Sequence, residues 1–66
     1  MKYRICCVKG SETTNYMYPP DVTTDEGAVK RLQIIQDLLP EFRCHVEKEV
    51  PIAYAWIKMT HSVENL

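Results

Sequence analysis

Residues 22–42, VTTDEGAVKRLQIIQDLLPEF, decide the fold, because they carry the longest unbroken helical period in the chain. Ala28, Leu32, Ile35 and Leu39 fall at i, i+4, i+7 and i+11, and Val29 and Leu38 widen the stripe. Thr23 is the expected N-cap, with Glu26 three residues on to complete a capping box. Asp25 and Glu26 place negative charge in the first turn, where the helix dipole favours it. Pro40 restricts Leu39 and ends the ladder. The stretch predicts an amphipathic helix over 24–39, and an amphipathic helix needs an apolar surface to cover.

The segments around it supply that surface as sheet. In residues 2–9, Tyr3, Ile5 and Cys7 alternate with Arg4, Cys6 and Val8, the period of a strand. Gly10 and Ser11 suit a two-residue type II′ turn. A hairpin over 2–18 with that turn would set Lys9 opposite Glu12, Cys7 opposite Thr14, Ile5 opposite Tyr16 and Tyr3 opposite Tyr18. Arg4, Asn15 and Met17 would then share the wetter face. A longer loop over 10–13 would break this register. Pro19 and Pro20 stop the second strand and read as a stiff, extended connector to the helix cap.

After the helix, Phe42, Cys44 and Val46 alternate with Arg43, His45 and Glu47, which predicts a third strand. Strand, helix and strand make a crossover unit, and the economical sheet order is two, one, three, with the helix over strand one. Residues 51–61 read two ways. Pro51 with Ile52, Trp56, Met59 and Val63 fits a helix. Ile52, Tyr54, Trp56 and Ile57 favour a fourth strand, and the strand is preferred. The tail, 62–66, is expected to fray. The expected architecture is one small α+β domain over 1–66: hairpin 2–18, helix 24–39 and C-terminal strands within 42–60. In order this is ββαβ(β), one helix on a mainly antiparallel sheet of three or four strands.

Composition narrows function mainly by exclusion. Sixty-six residues hold one thin core, and cores of this size rarely supply more than about 3–5 kcal/mol unaided. Completion by a homodimer partner or by a target protein is therefore expected. A formal net charge of −1 gives neither the basic face of a nucleic-acid binder nor the acidic surface of a nucleic-acid mimic. No apolar run is long enough to span a membrane. Arg4 interrupts any signal-peptide core, and Met1 reads as an initiator, so the expected setting is a small cytoplasmic gene product.

No motif carries chemistry. Cys6, Cys7 and Cys44 are an odd number without paired-ligand spacing, and the expectation is core packing for Cys7 and Cys44, with Cys6 on the other sheet face. A zinc site from Cys6 or Cys7 with Cys44 and His61 lacks a sequence signature. A nucleophile–base pair such as Cys44 and His61 has no surrounding motif, and His45 reads as a solvated strand residue. Gly10 and Gly27 are isolated, so there is no phosphate-cradling loop. The expectation is no catalytic residue, no metal and no cofactor.

The aromatics are the functional clue. Tyr16, Tyr18, Tyr54 and Trp56 exceed what one helix can cover, and Tyr and Trp favour binding hot spots. In a fourth strand, Tyr54 and Trp56 would share the open face with Arg4 and Met17. The expected function is a non-enzymatic protein-binding module, a regulator or inhibitor of the kind found in viruses and mobile elements, with Tyr16, Tyr18, Tyr54, Trp56, Arg4 and Met17 as its binding residues. The alternatives are a metal- or redox-responsive cysteine protein and a small oligomeric enzyme with an inter-subunit site. Stacking of single-stranded nucleic acid on Tyr16, Tyr18 and Trp56 ranks last, for want of a basic groove.

Overall fold

A computed structural model describes residues 2–11 and 13–59. Expectations for Glu12, His61, Val63 and the tail fall outside them. The described chain runs β1 (Tyr3–Lys9), β2 (Thr13–Met17), α1 (Asp25–Leu38), β3 (Arg43–Val50) and β4 (Ala55–Lys58). The strands form one sheet in the order β2-β1-β3-β4, every neighbouring pair antiparallel. This is the expected α+β architecture with the fourth strand present. β2 and β3 flank β1, so α1 is the crossover between them.

The helix begins one residue later than its sequence suggests. Thr24 is the N-cap, and its Oγ1 accepts the Gly27 N–H at 3.0 Å. Glu26 therefore does not stand in the N3 position of a capping box; Gly27 does. A Cβ at Gly27 would lie 3.1 Å from that same Oγ1, so the missing side chain leaves the cap undisturbed. Ala28 and Leu32 are buried, and Ile35 and Leu39 pack against the core as the period requires. Leu38, expected to widen the stripe, is instead 70% exposed.

The core lies between α1 and one sheet face. Tyr3, Ile5, Cys7 and Val46 meet Val22, Ala28 and Leu32, with Met17, Phe42, Cys44 and Met59 at its margin. The helix backbone comes closest to β3 rather than β1. Gln36 explains the offset. Its Nε2 donates to the Phe42 carbonyl at 2.6 Å and the Leu39 carbonyl at 3.3 Å, while its Oε1 accepts the Cys44 N–H at 3.1 Å. One side chain thus bridges the C-cap carbonyl, the Phe42 carbonyl beyond it and the Cys44 N–H, and ties the helix end to the start of β3.

The hairpin register differs from the expected one by a single residue. Lys9 pairs with Thr13, Val8 with Thr14, Cys6 with Tyr16 and Ile5 with Met17. Three residues, 10–12, therefore separate the paired ends, and Gly10 takes a left-handed φ of 63°. A one-residue slip reverses every side chain of β2. Met17 moves from the open face to the core beside Ile5, where a flexible thioether packs without needing a hydrogen bond. Tyr16 moves to the open face, where its hydroxyl meets solvent. Residues 19–22 are not an extended connector but a turn closed by the Val22 N–H on the Pro19 carbonyl at 3.3 Å.

Candidate binding face

The helix covers one face of the sheet, and no described element covers the other. Strand alternation and register determine what that open face carries. Arg4 pairs with Glu47 and Cys6 with His45 across β1 and β3; Tyr16 lies opposite Cys6 on β2, and Trp56 opposite Glu49 on β4. Residues far apart in sequence therefore meet at the middle of the face.

Arg4 is the centre. Its guanidinium carbon sits 4.3 Å from the ring centroid of Tyr16 and 4.3 Å from that of Trp56, so its flat surfaces are taken up by two aromatic rings. Its edge is occupied as well. Nε and one terminal nitrogen reach Glu47 Oε1 at 2.6 Å each, and the other terminal nitrogen donates to the Tyr18 hydroxyl at 3.3 Å. Tyr18 also meets Trp56 edge-on, with ring centroids 5.9 Å apart. Planar stacking and a forked donor edge are properties of guanidinium, which a lysine would not reproduce.

Beside this stack lies a polar group that the sequence reading left unassembled. Glu47 Oε2 is 2.9 Å from His45 Nε2, and both side chains are mostly shielded. Burial opposes ionisation of Glu47, but the bonds from His45 and Arg4 outweigh it and hold the carboxyl below the usual carboxylate range. The Cys6 thiol lies beneath them, 3% exposed. Burial pushes that thiol up, with the Glu47 charge adding to the effect and Arg4 opposing it. Alternation had placed His45 and Glu47 on the outward side of β3. Their meeting with Cys6 and Arg4 depends on the β1–β3 register, which no local signal specifies.

Of the six residues expected to bind, Arg4, Tyr16, Tyr18 and Trp56 come together. Met17 lies on the opposite, helix-covered face, because of the register. Tyr54 is not on the face either: it closes the turn 51–54 between β3 and β4, with φ 51° and 88% exposure. The three cysteines do not converge. Cys7 and Cys44 lie opposite each other inside, Sγ to Sγ 3.1 Å, while Cys6 faces the other way. Burial and the neighbouring Cys44 thiol push Cys7 up to about 12, which suits a packed thiol rather than a nucleophile.

At the margin of the face, sharing Tyr18 with it, a groove of about 400 Å³ runs along Lys2, Tyr3, Tyr18, Pro19 and Val22. The Tyr3 hydroxyl that borders it is already bonded to Asp25. Among the described residues no helix is long and apolar enough to cross a membrane. No family model, curated protein or solved structure matches the chain.

Proposed function

We propose that this chain is a small protein-binding module, a regulator or inhibitor that presents its open sheet face to a protein partner. The observation that carries this reading is the aromatic cluster on the uncovered face: Tyr16 and Tyr18, 45% and 57% exposed, beside an Arg4 stacked on Trp56. Exposed aromatic area around an arginine is the composition of interface hot spots, where Tyr, Trp and Arg dominate. The arginine is already held in place, so little side-chain freedom is lost on docking. The thin core of so short a chain supports the same reading, since burying this face would add apolar contact that the helix layer cannot provide. Partnering by a second copy is the homodimer form of the proposal.

The test is affinity capture from the producing cell's lysate, with three versions of the chain. The wild type is compared with a Tyr16→Ala/Trp56→Ala variant and with a Lys30→Ala/Gln33→Ala variant of the solvent face of α1. Circular dichroism establishes that each is folded. The expected result is one stoichiometric partner, or a dimer, kept by the helix variant and lost by the aromatic variant. Trp56 is the sole tryptophan, so its emission shifts when the purified partner is added. A partner retained by the aromatic variant overturns the proposal, as does a chain that stays monomeric and captures nothing at low and high salt.

A further inference from the structure

We infer that Cys6, His45 and Glu47 form a zinc(II) site on the open sheet face. Among the described residues these three are the group whose thiol sulfur, imidazole nitrogen and carboxylate oxygen all lie within 4.8 Å of one another. Two are a directly opposed cross-strand pair on the central strands, and the third is two residues along β3 on the same face. Hydrogen-bonded strands hold such positions more firmly than a loop does, so the backbone need not move to bring the donors together.

The chemistry of the set fits zinc. Thiolate, imidazole and carboxylate are its three protein ligand types, at about 2.3, 2.0–2.1 and 2.0–2.2 Å. Two tetrahedral ligands at about 2.05 Å from the metal stand roughly 3.3 Å apart. His45 Nε2 and Glu47 Oε2 are 2.9 Å apart, so the ion replaces their hydrogen bond with a small opening of the pair. The Cys6 sulfur lies beneath and supplies a third vertex. Arg4 holds the other oxygen, Oε1, and leaves Oε2 for the metal. Hydrogen bonding of a ligating carboxylate by an outer residue is the usual support for such a site.

On binding, the Cys6 thiol forms its bond to zinc as a thiolate, and its proton passes to buffer. The proton shared between His45 Nε2 and Glu47 Oε2 leaves Nε2 for the ring's Nδ1 through solvent, so that neutral imidazole and carboxylate bind; no electron is transferred. Three protein ligands leave the fourth vertex to water, which makes the site exchangeable rather than closed. Neither cysteine of the inner pair takes part. The inference does not depend on a protein partner for the face, since the metal binds to the isolated chain.

The experiment is titration of untagged, reduced protein with cobalt(II), followed by displacement with zinc(II). One cobalt per chain is expected, with the intense near-ultraviolet absorption of a cobalt–thiolate bond, which zinc abolishes. Cys6→Ser removes that absorption, and His45→Ala weakens binding by more than about tenfold. Cys44→Ala leaves the spectrum intact. Zinc raises the unfolding temperature of the wild type and of Cys44→Ala, but not of His45→Ala, which keeps the thiol and so serves if Cys6→Ser does not fold. Absence of the absorption in the wild type overturns the inference. So does a cobalt affinity undiminished in His45→Ala, or absorption that disappears in Cys44→Ala, because either result places the metal elsewhere.

Discussion

Replacing Tyr3 by Phe isolates one buried contact between helix and sheet. Tyr3 is 5% exposed, and its hydroxyl donates to Asp25 Oδ1 at 2.5 Å in the first turn of α1. Lys48 Nζ reaches both Asp25 oxygens at 3.2 Å, so the carboxylate keeps one partner in the variant. Hydrogen bonds to charged groups contribute about 1.5–3 kcal/mol. The hydrogen bond to Asp25, with burial and the Asp25 charge, pushes Tyr3 from 10.0 up to about 12; burial of the phenolate shares in that rise, so the bond's own contribution stays within the range of about 1.5–3 kcal/mol. The Asp25 side chain is 55% exposed, and water screening trims this to roughly 1–1.5 kcal/mol. Against a total of about 3–5 kcal/mol, that is close to a tenfold shift toward the unfolded chain.

Urea unfolding, followed by circular dichroism and Trp56 emission, measures the difference between the two proteins. Its pH dependence has a defined sign. The raised Tyr3 contributes stability that is complete below pH 10 and is lost as pH rises toward about 12. Tyr3 and Lys48 hold Asp25 below its ordinary range, so the same bond contributes fully above the ordinary carboxylate range and is lost as pH falls from there through Asp25's lowered value. The wild-type advantage is therefore a plateau from about pH 4 to about pH 10 that declines at both ends. Equal urea midpoints near neutrality, or a difference indifferent to pH, would refute the reasoning.

Gln36→Ala frees the Phe42 carbonyl and the Cys44 N–H together; we expect a loss of about 1–3 kcal/mol and faster hydrogen exchange at Cys44, and unchanged exchange there would show that the clamp is not formed. Tyr54→Gly relieves a left-handed φ at an exposed side chain, so stability rises by about 1 kcal/mol in thermal or urea unfolding; a fall would mean that the Tyr54 ring makes a stabilising contact. Met17→Ala, on the core side of β2, costs about 1–2 kcal/mol, below the range for full burial because Met17 is only partly shielded. Tyr16→Ala costs less in the isolated chain, and the reverse order of the two would restore the two-residue loop.

The sequence by itself determined the elements that depend on local period. Helix α1 follows from the spacing of Ala28, Leu32 and Ile35, and the inward side of β3 from the alternation of Cys44 and Val46 with His45. The order of the first three strands followed too, because a helix linking two strands that flank a third leaves few topologies; the place of β4 beside β3 did not. The separation of Cys6 from Cys7 and Cys44 needed only the two-residue strand period. Tertiary structure decided what depends on one residue of offset. Thr23 and Thr24 are equally good caps by composition, and the choice fell where Gly27 could approach the cap hydroxyl. Two- and three-residue loops after Lys9 are both acceptable locally, yet they exchange Met17 and Tyr16 between the faces. The candidate site was the least legible of all. Arg4 meets Glu47 and Trp56, and Cys6 meets His45, across long stretches of chain. Those meetings are set by pairing between β1, β3 and β4, whose hydrogen bonds are the same for every side chain and leave no mark in the residues themselves.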